Sequence, residues 1–134
     1  MKRLLVLIFF TCAYACAHEP PLPETVQSAI EYKTVSEALA GLGAKKGTEI
    51  SKQGDWTIVI EPDKNVIWSF APENHPAYPA MVKRAVISEH GSVFVKMDIN
   101  CKASKEACDA LVHEFIQLNE NMRSSFQTEE KKLD

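Results

Sequence analysis

Residues 55–70 read DWTIVIEPDKNVIWSF. Two runs rich in β-branched and aromatic residues flank Pro62-Asp63-Lys64, the pattern of two antiparallel strands joined by a tight turn. Folded on a three-residue loop, the pair places Ile60 opposite Val66, Ile58 opposite Trp68 and Trp56 opposite Phe70. Six large apolar side chains then share one face. A shift of one residue mixes the faces, so apolar segregation selects the three-residue loop. A face carrying two tryptophans and a phenylalanine reads as core rather than as a platform for stacking a ligand.

Residues 80–99, AMVKRAVISEHGSVFVKMDI, repeat the pattern around His90-Gly91, where glycine supplies the positive φ of a two-residue turn. The register pairs Val86 with Val95, Val82 with Ile99, Arg84 with Met97 and Ser88 with Val93. The opposite face pairs Lys83 with Asp98, Ala85 with Lys96 and Ile87 with Phe94, and the Lys83–Asp98 pair assigns that face to solvent. Two positions break the pattern. Arg84 falls on the core side, where its stem is expected to cover apolar surface while the guanidinium reaches water or a carboxylate. Ile87 and Phe94 fall together on the outer face, either under a helix or simply exposed, with a contact patch as the functional alternative.

Helices flank these hairpins. Thr34-Val35-Ser36-Glu37 has the spacing of a capping box, and Val35, Ala38, Leu39 and Leu42 follow at helical spacing, with Gly41 and Gly43 available to close the helix. Periodicity leaves residues 26–33 open between a backward extension of this helix and an edge strand. From Ser104 onward Cys108, Leu111, Val112, Phe115, Leu118, Met122 and Phe126 form one stripe, widened by Ile116, on an amphipathic helix of about six turns. The expected fold is α+β: an antiparallel sheet of four to five strands, built from two consecutive hairpins, covered by a long C-terminal helix and accompanied by a short N-terminal one.

The first residues, MKRLLVLIFFTCAYACA, join a basic start, a short apolar run and an A-x-A site, the layout of a secretory signal cleaved near Ala17. A competing reading makes Cys16 a lipid-modified N-terminus. Cleavage removes Lys2 and Arg3, which takes 15 basic residues to 13 against 18 acidic ones, a net charge of −5. An acidic chain without a basic block argues against nucleic acid as a partner. No second apolar run is long enough to span a bilayer. The organisation read from the sequence is therefore a signal peptide at 1–17, a proline-rich lead-in at 18–33, one α+β domain at 34–127 and a charged tail at 128–134. Cys101 and Cys108 are the cysteines left in the mature chain. In an oxidising periplasmic or extracellular setting they are expected to form a disulfide, since C-x6-C matches neither zinc-ribbon nor thioredoxin-like spacing.

Between the hairpins lies FAPENHPAYPAMVKR, residues 70–84. Pro72, Pro76 and Pro79 limit its freedom and place it at an edge or end of the sheet. A stiff loop loses little entropy on binding, so His75, Tyr78 and Arg84, together with Ile87 and Phe94, are the candidate partner-contact residues. Catalytic motifs are missing: there is no G-x-S-x-G elbow and no H-E-x-x-H, and His113 lies off the apolar stripe. The function these features imply is a small exported non-enzymatic protein, needing no cofactor, that binds another envelope or secreted protein as inhibitors, immunity proteins and accessory factors do. One alternative is transition-metal binding, copper for example, by the mature N-terminal His18 with His75 or His90. The other is a small enzyme without a recognisable motif.

Processing gives a direct test. The intact mass of the exported protein should equal that of residues 18–134 less two hydrogens for the Cys101–Cys108 bridge. Lipid on Cys16 would overturn the cleavage site, and two free thiols would overturn the bridge.

Overall fold

The computed structural model of the chain describes residues 29–130. The expected leader, most of the lead-in with His18, and the last four residues of the tail lie outside that range. Helix α1 (Val35–Gly43) starts where the capping spacing places it. The Thr34 hydroxyl accepts the Glu37 N–H at 3.1 Å, and the Glu37 carboxylate accepts the Lys33 N–H at 3.0 Å, so two of the free donors at the helix start are satisfied. Gly41 does not close the helix. A Cβ there would stand 2.7 Å from Cε1 of Tyr32, so the missing side chain is what lets the tyrosine ring lie against α1. Of residues 26–33, open between helix and strand on periodicity, 29–33 are neither, and 26–28 lie outside the described residues.

The strands are β1 (Glu49–Gln53), β2 (Trp56–Glu61), β3 (Val66–Phe70), β4 (Ala80–Glu89) and β5 (Ser92–Cys101), and α2 (Lys105–Glu130) follows. They form one five-stranded antiparallel sheet in chain order, which with the two helices makes the fold α+β as expected. The fifth strand is β1. Its residues are all exposed, so no apolar alternation announces it, and Gly54 at φ 57° turns it into β2.

The β4–β5 register is the one read from the sequence, from Val82 opposite Ile99 to Ser88 opposite Val93. His90 and Gly91, at φ 50° and 76°, supply the two positive-φ positions of its turn. The β2–β3 register differs by one residue. Val59 faces Trp68, Thr57 faces Phe70 and Glu61 faces Val66, because Asn65 joins the turn in the left-handed region after the 3-10 turn Pro62–Lys64. Trp68 and Phe70 therefore lie on one face with Val59, under α1, while Trp56 and Ile58 lie on the other, under α2.

The physical reason is that both faces of the sheet are covered, so segregating apolar residues to one side carries no advantage. Polar pairing decides instead. Trp68 is fully buried, and its indole N–H needs an acceptor. The observed register puts Glu61 on the same face, where its carboxylate accepts that N–H at 2.8 Å. Lys45 and Lys64 reach the same carboxylate at 3.3 Å. Burial by itself would raise the Glu61 pKa, but the indole and the two ammonium groups outweigh it and hold the carboxyl below its usual 4.5.

On the far face, Leu111 and Phe115 of α2 are buried against Ala80, Val82, Met97 and Ile99. The Cys101–Cys108 bridge, with Cα atoms 5.9 Å apart, ties the end of β5 to the first turns of α2. A loop of this size is worth about 2–3 kcal/mol on the chain-entropy model. The C-terminal half of the stripe departs from expectation: Ile116, Leu118 and Phe126 are exposed. On the outer face Ile87 and Phe94, directly opposite one another, are also exposed. Lys83 is not in open solvent, since its ammonium lies 5.2 Å from the centre of the Trp68 ring.

Trp68→Ala should cost about 3–5 kcal/mol in chemical denaturation, the range for deleting a large buried aromatic. Phe94 is 49% exposed, so Phe94→Ala should cost under about 1 kcal/mol. Equal costs would contradict the assignment of faces.

Candidate functional site

Where β2, β3 and β4 pass beneath α2, the far face of the sheet presents Trp56, Ile58, Ser69 and Arg84. With Gln53, Glu114, Phe115 and Leu118 they line a cavity of about 150 Å³. Strand parity puts them together: Ile58 faces Ser69, and Ser69 faces Val82, one same-face step along β4 from Arg84. The aromatic walls touch one another, the Trp56 and Phe115 rings meeting at 5.7 Å and a tilt of 59°.

Arg84 departs most from expectation. The residue is buried, 5% exposed, and its guanidinium meets no carboxylate among the described residues. The guanidinium carbon lies 5.2 Å from the centre of the Phe115 ring, a cation–π contact. Nη2 donates to Ser69 Oγ at a long 3.4 Å. Nε and Nη1 have no hydrogen-bond partner among the described residues. Burial disfavours the charged form and lowers the Arg84 pKa below its ordinary value. An arginine nonetheless remains protonated, so a positive charge stands against the cavity with no hydrogen-bonded carboxylate among the described residues.

The proline-rich loop closes the end of the sheet beside this cavity. Ala71 N–H donates to Ala80 O at 3.0 Å and Lys102 N–H to Pro79 O at 3.0 Å, which fastens both ends of the loop to strands. His75 Nδ1 accepts the Ala77 N–H at 3.1 Å. The His75 ring meets Trp56 edge-on at 5.0 Å, and its Nε2 lies 3.9 Å from Glu114 Oε2.

The residues singled out on sequence therefore divide. His75 and Arg84 converge around Trp56, Phe115 and Glu114. Tyr78 is exposed on the loop, and Ile87 and Phe94 occupy the opposite face of the sheet at the β4–β5 turn. His90 sits in that turn, and no group of three His, Cys, Asp or Glu side chains is placed to hold a metal among the described residues. Ser69, Glu114 and Gln53 carried no sequence signal, and Trp56 and Phe115 read only as core. The one pointer was the parity of Arg84, a cation on an apolar face.

Farther along α2 the same face opens into a cleft of about 600 Å³, lined by Ile60, Val66, Ile67 and Val86 from the sheet and Phe126 from the helix. No described helix is long and apolar enough to cross a membrane. Comparison with protein-family models, curated proteins and solved structures found no match for the chain.

Ser69 supplies the hydrogen bond made by the Arg84 guanidinium. Ser69→Ala leaves a further buried donor without a partner and should cost about 1–3 kcal/mol in thermal or urea unfolding. A neutral substitution would mean that this long contact contributes nothing.

Proposed function

We propose that the chain is a small exported, non-enzymatic protein that works by binding another polypeptide, and that the cleft beside α2 receives an amphipathic helix of that partner. The observation carrying this reading is the half-covered sheet face. Phe126 of α2, 42% exposed, lines a cleft floored by Ile60, Ile67 and Val86, and Leu118 on the same helix is 43% exposed. Apolar side chains facing one another across an open cleft match the recognition mode in which a helix lays its apolar stripe into a groove.

The dimensions favour a helix as occupant. Five strands span roughly 20 Å, whereas one helix is about 10 Å wide. Helix α2 makes its main strand contacts with β5, and the open cleft lies beside its C-terminal half, over Ile60, Ile67 and Val86. Export is supported by the N-terminal pattern and is compatible with the disulfide, which persists in oxidising compartments.

The test is positional crosslinking in cells that export the protein. A photo-reactive residue at position 126 should link the chain to one polypeptide, and the same residue at position 94, on the other face, should not. Ser88→Arg, at an exposed position lining the cleft, should abolish that link while shifting Tm by no more than about 2 °C, as befits a surface change. Equal yields from both positions, or links only between copies of this chain, would reject the reading.

A further inference from the structure

The Arg84 cavity carries a separate inference, which does not depend on the polypeptide partner. We infer that it is a binding site for a small organic monocarboxylate with an apolar body of about the size of benzoate. Three independent features converge on it.

The first is the unpaired charge. A buried arginine that serves only stability is normally paired with a carboxylate, because an isolated buried cation is costly. Here Nε and Nη1 lack partners among the described residues, and the remaining contact is a neutral serine at 3.4 Å. Guanidinium donors form a fixed fork that matches the two oxygens of a carboxylate.

The second is the shape and lining of the space. A cavity of about 150 Å³ lies against this guanidinium, walled by Trp56, Ile58, Phe115 and Leu118. Apolar cavities of about that volume accept a benzene ring. The walls suit an apolar body, and Arg84 suits one charged end.

The third is the composition of the mouth. Glu114 lines the cavity, but its side chain is 61% exposed and its Oε2 lies 3.9 Å from His75 Nε2. A negative charge at the mouth disfavours a second carboxylate on the ligand while tolerating a neutral end. The site therefore selects monoanions over dianions. Both free nitrogens are buried, so a carboxylate reaches them only when side chains lining the cavity shift; of these, Glu114 and Leu118 are exposed enough to move. Exposed side chains change rotamer in picoseconds to nanoseconds, so this gate imposes no slow step.

The inference is tested by titrating the folded protein with benzoate, followed by calorimetry and by the Arg84 Nε–Hε NMR resonance. Binding with a dissociation constant on the order of 1 mM is expected for so small a ligand. Saturable movement of the Arg84 resonance should accompany it. Benzamide, which has the shape without the charge, and phthalate, which has a second carboxylate, should each bind at least about tenfold more weakly. Arg84→Met keeps the side-chain bulk and removes the charge, and should abolish benzoate binding while retaining the wild-type circular dichroism spectrum. Equal binding by Arg84→Met, equal binding of benzamide, or an Arg84 resonance unmoved at on the order of 20 mM benzoate would overturn the site. If Arg84→Met does not fold, the wild-type resonance decides: saturable movement with benzoate but not with benzamide supports the site, and any other result overturns it.

Discussion

The buried bond from the Trp68 indole to Glu61 is the constraint on which the rest of the arrangement depends. A large aromatic can be buried in a two-sided sheet only if its one polar atom finds an acceptor. Glu61 meets that need from the neighbouring strand, and its own charge is met by Lys45 just after α1 and by Lys64 in the turn. One carboxylate thus joins the first helix, the β2–β3 turn and the centre of the sheet. Tyr32 completes the packing, its ring 5.7 Å from Trp68, in the space that Gly41 leaves on α1.

Fixing the parity of β2 and β3 also fixes the other face. With Trp68 turned toward α1, Ile58 and Ser69 turn toward α2, beside Arg84. The pairing that satisfies one buried polar group is the same pairing that builds the cavity around another. Among the described residues Glu61 has three donors around it, whereas the Arg84 guanidinium has one weak acceptor and an aromatic ring. That asymmetry separates a polar group that holds the fold together from one left available to a ligand.

Helix α2 divides into two parts with different surroundings. Its N-terminal half is bridged to β5 by the disulfide and buries Leu111 and Phe115. Its C-terminal half keeps the same apolar spacing yet exposes Leu118 and Phe126. Spacing records which residues share a helix face. It does not record how far the sheet extends beneath that face, which explains why a single stripe read as core is core only over its first half.

Several features were legible because local chemistry fixes them. The Thr34 cap needs only its own chain neighbours, the β4–β5 register follows from a two-residue turn at His90-Gly91, and the bridge joins cysteines seven positions apart. The parity of Arg84 was equally legible and marked an anomaly at the right residue. The β2–β3 register, the β1 strand and the burial of Arg84 were decided elsewhere. Each depends on what packs from a distance: α1 and α2 on opposite faces of one sheet, an acceptor for an indole, and a helix laid over a guanidinium. Sequence determines local pairing because the interacting groups are chain neighbours. Only the tertiary structure decides which of two apolar faces a strand turns to which helix, because that choice is set by polar partners the strand meets only once folded.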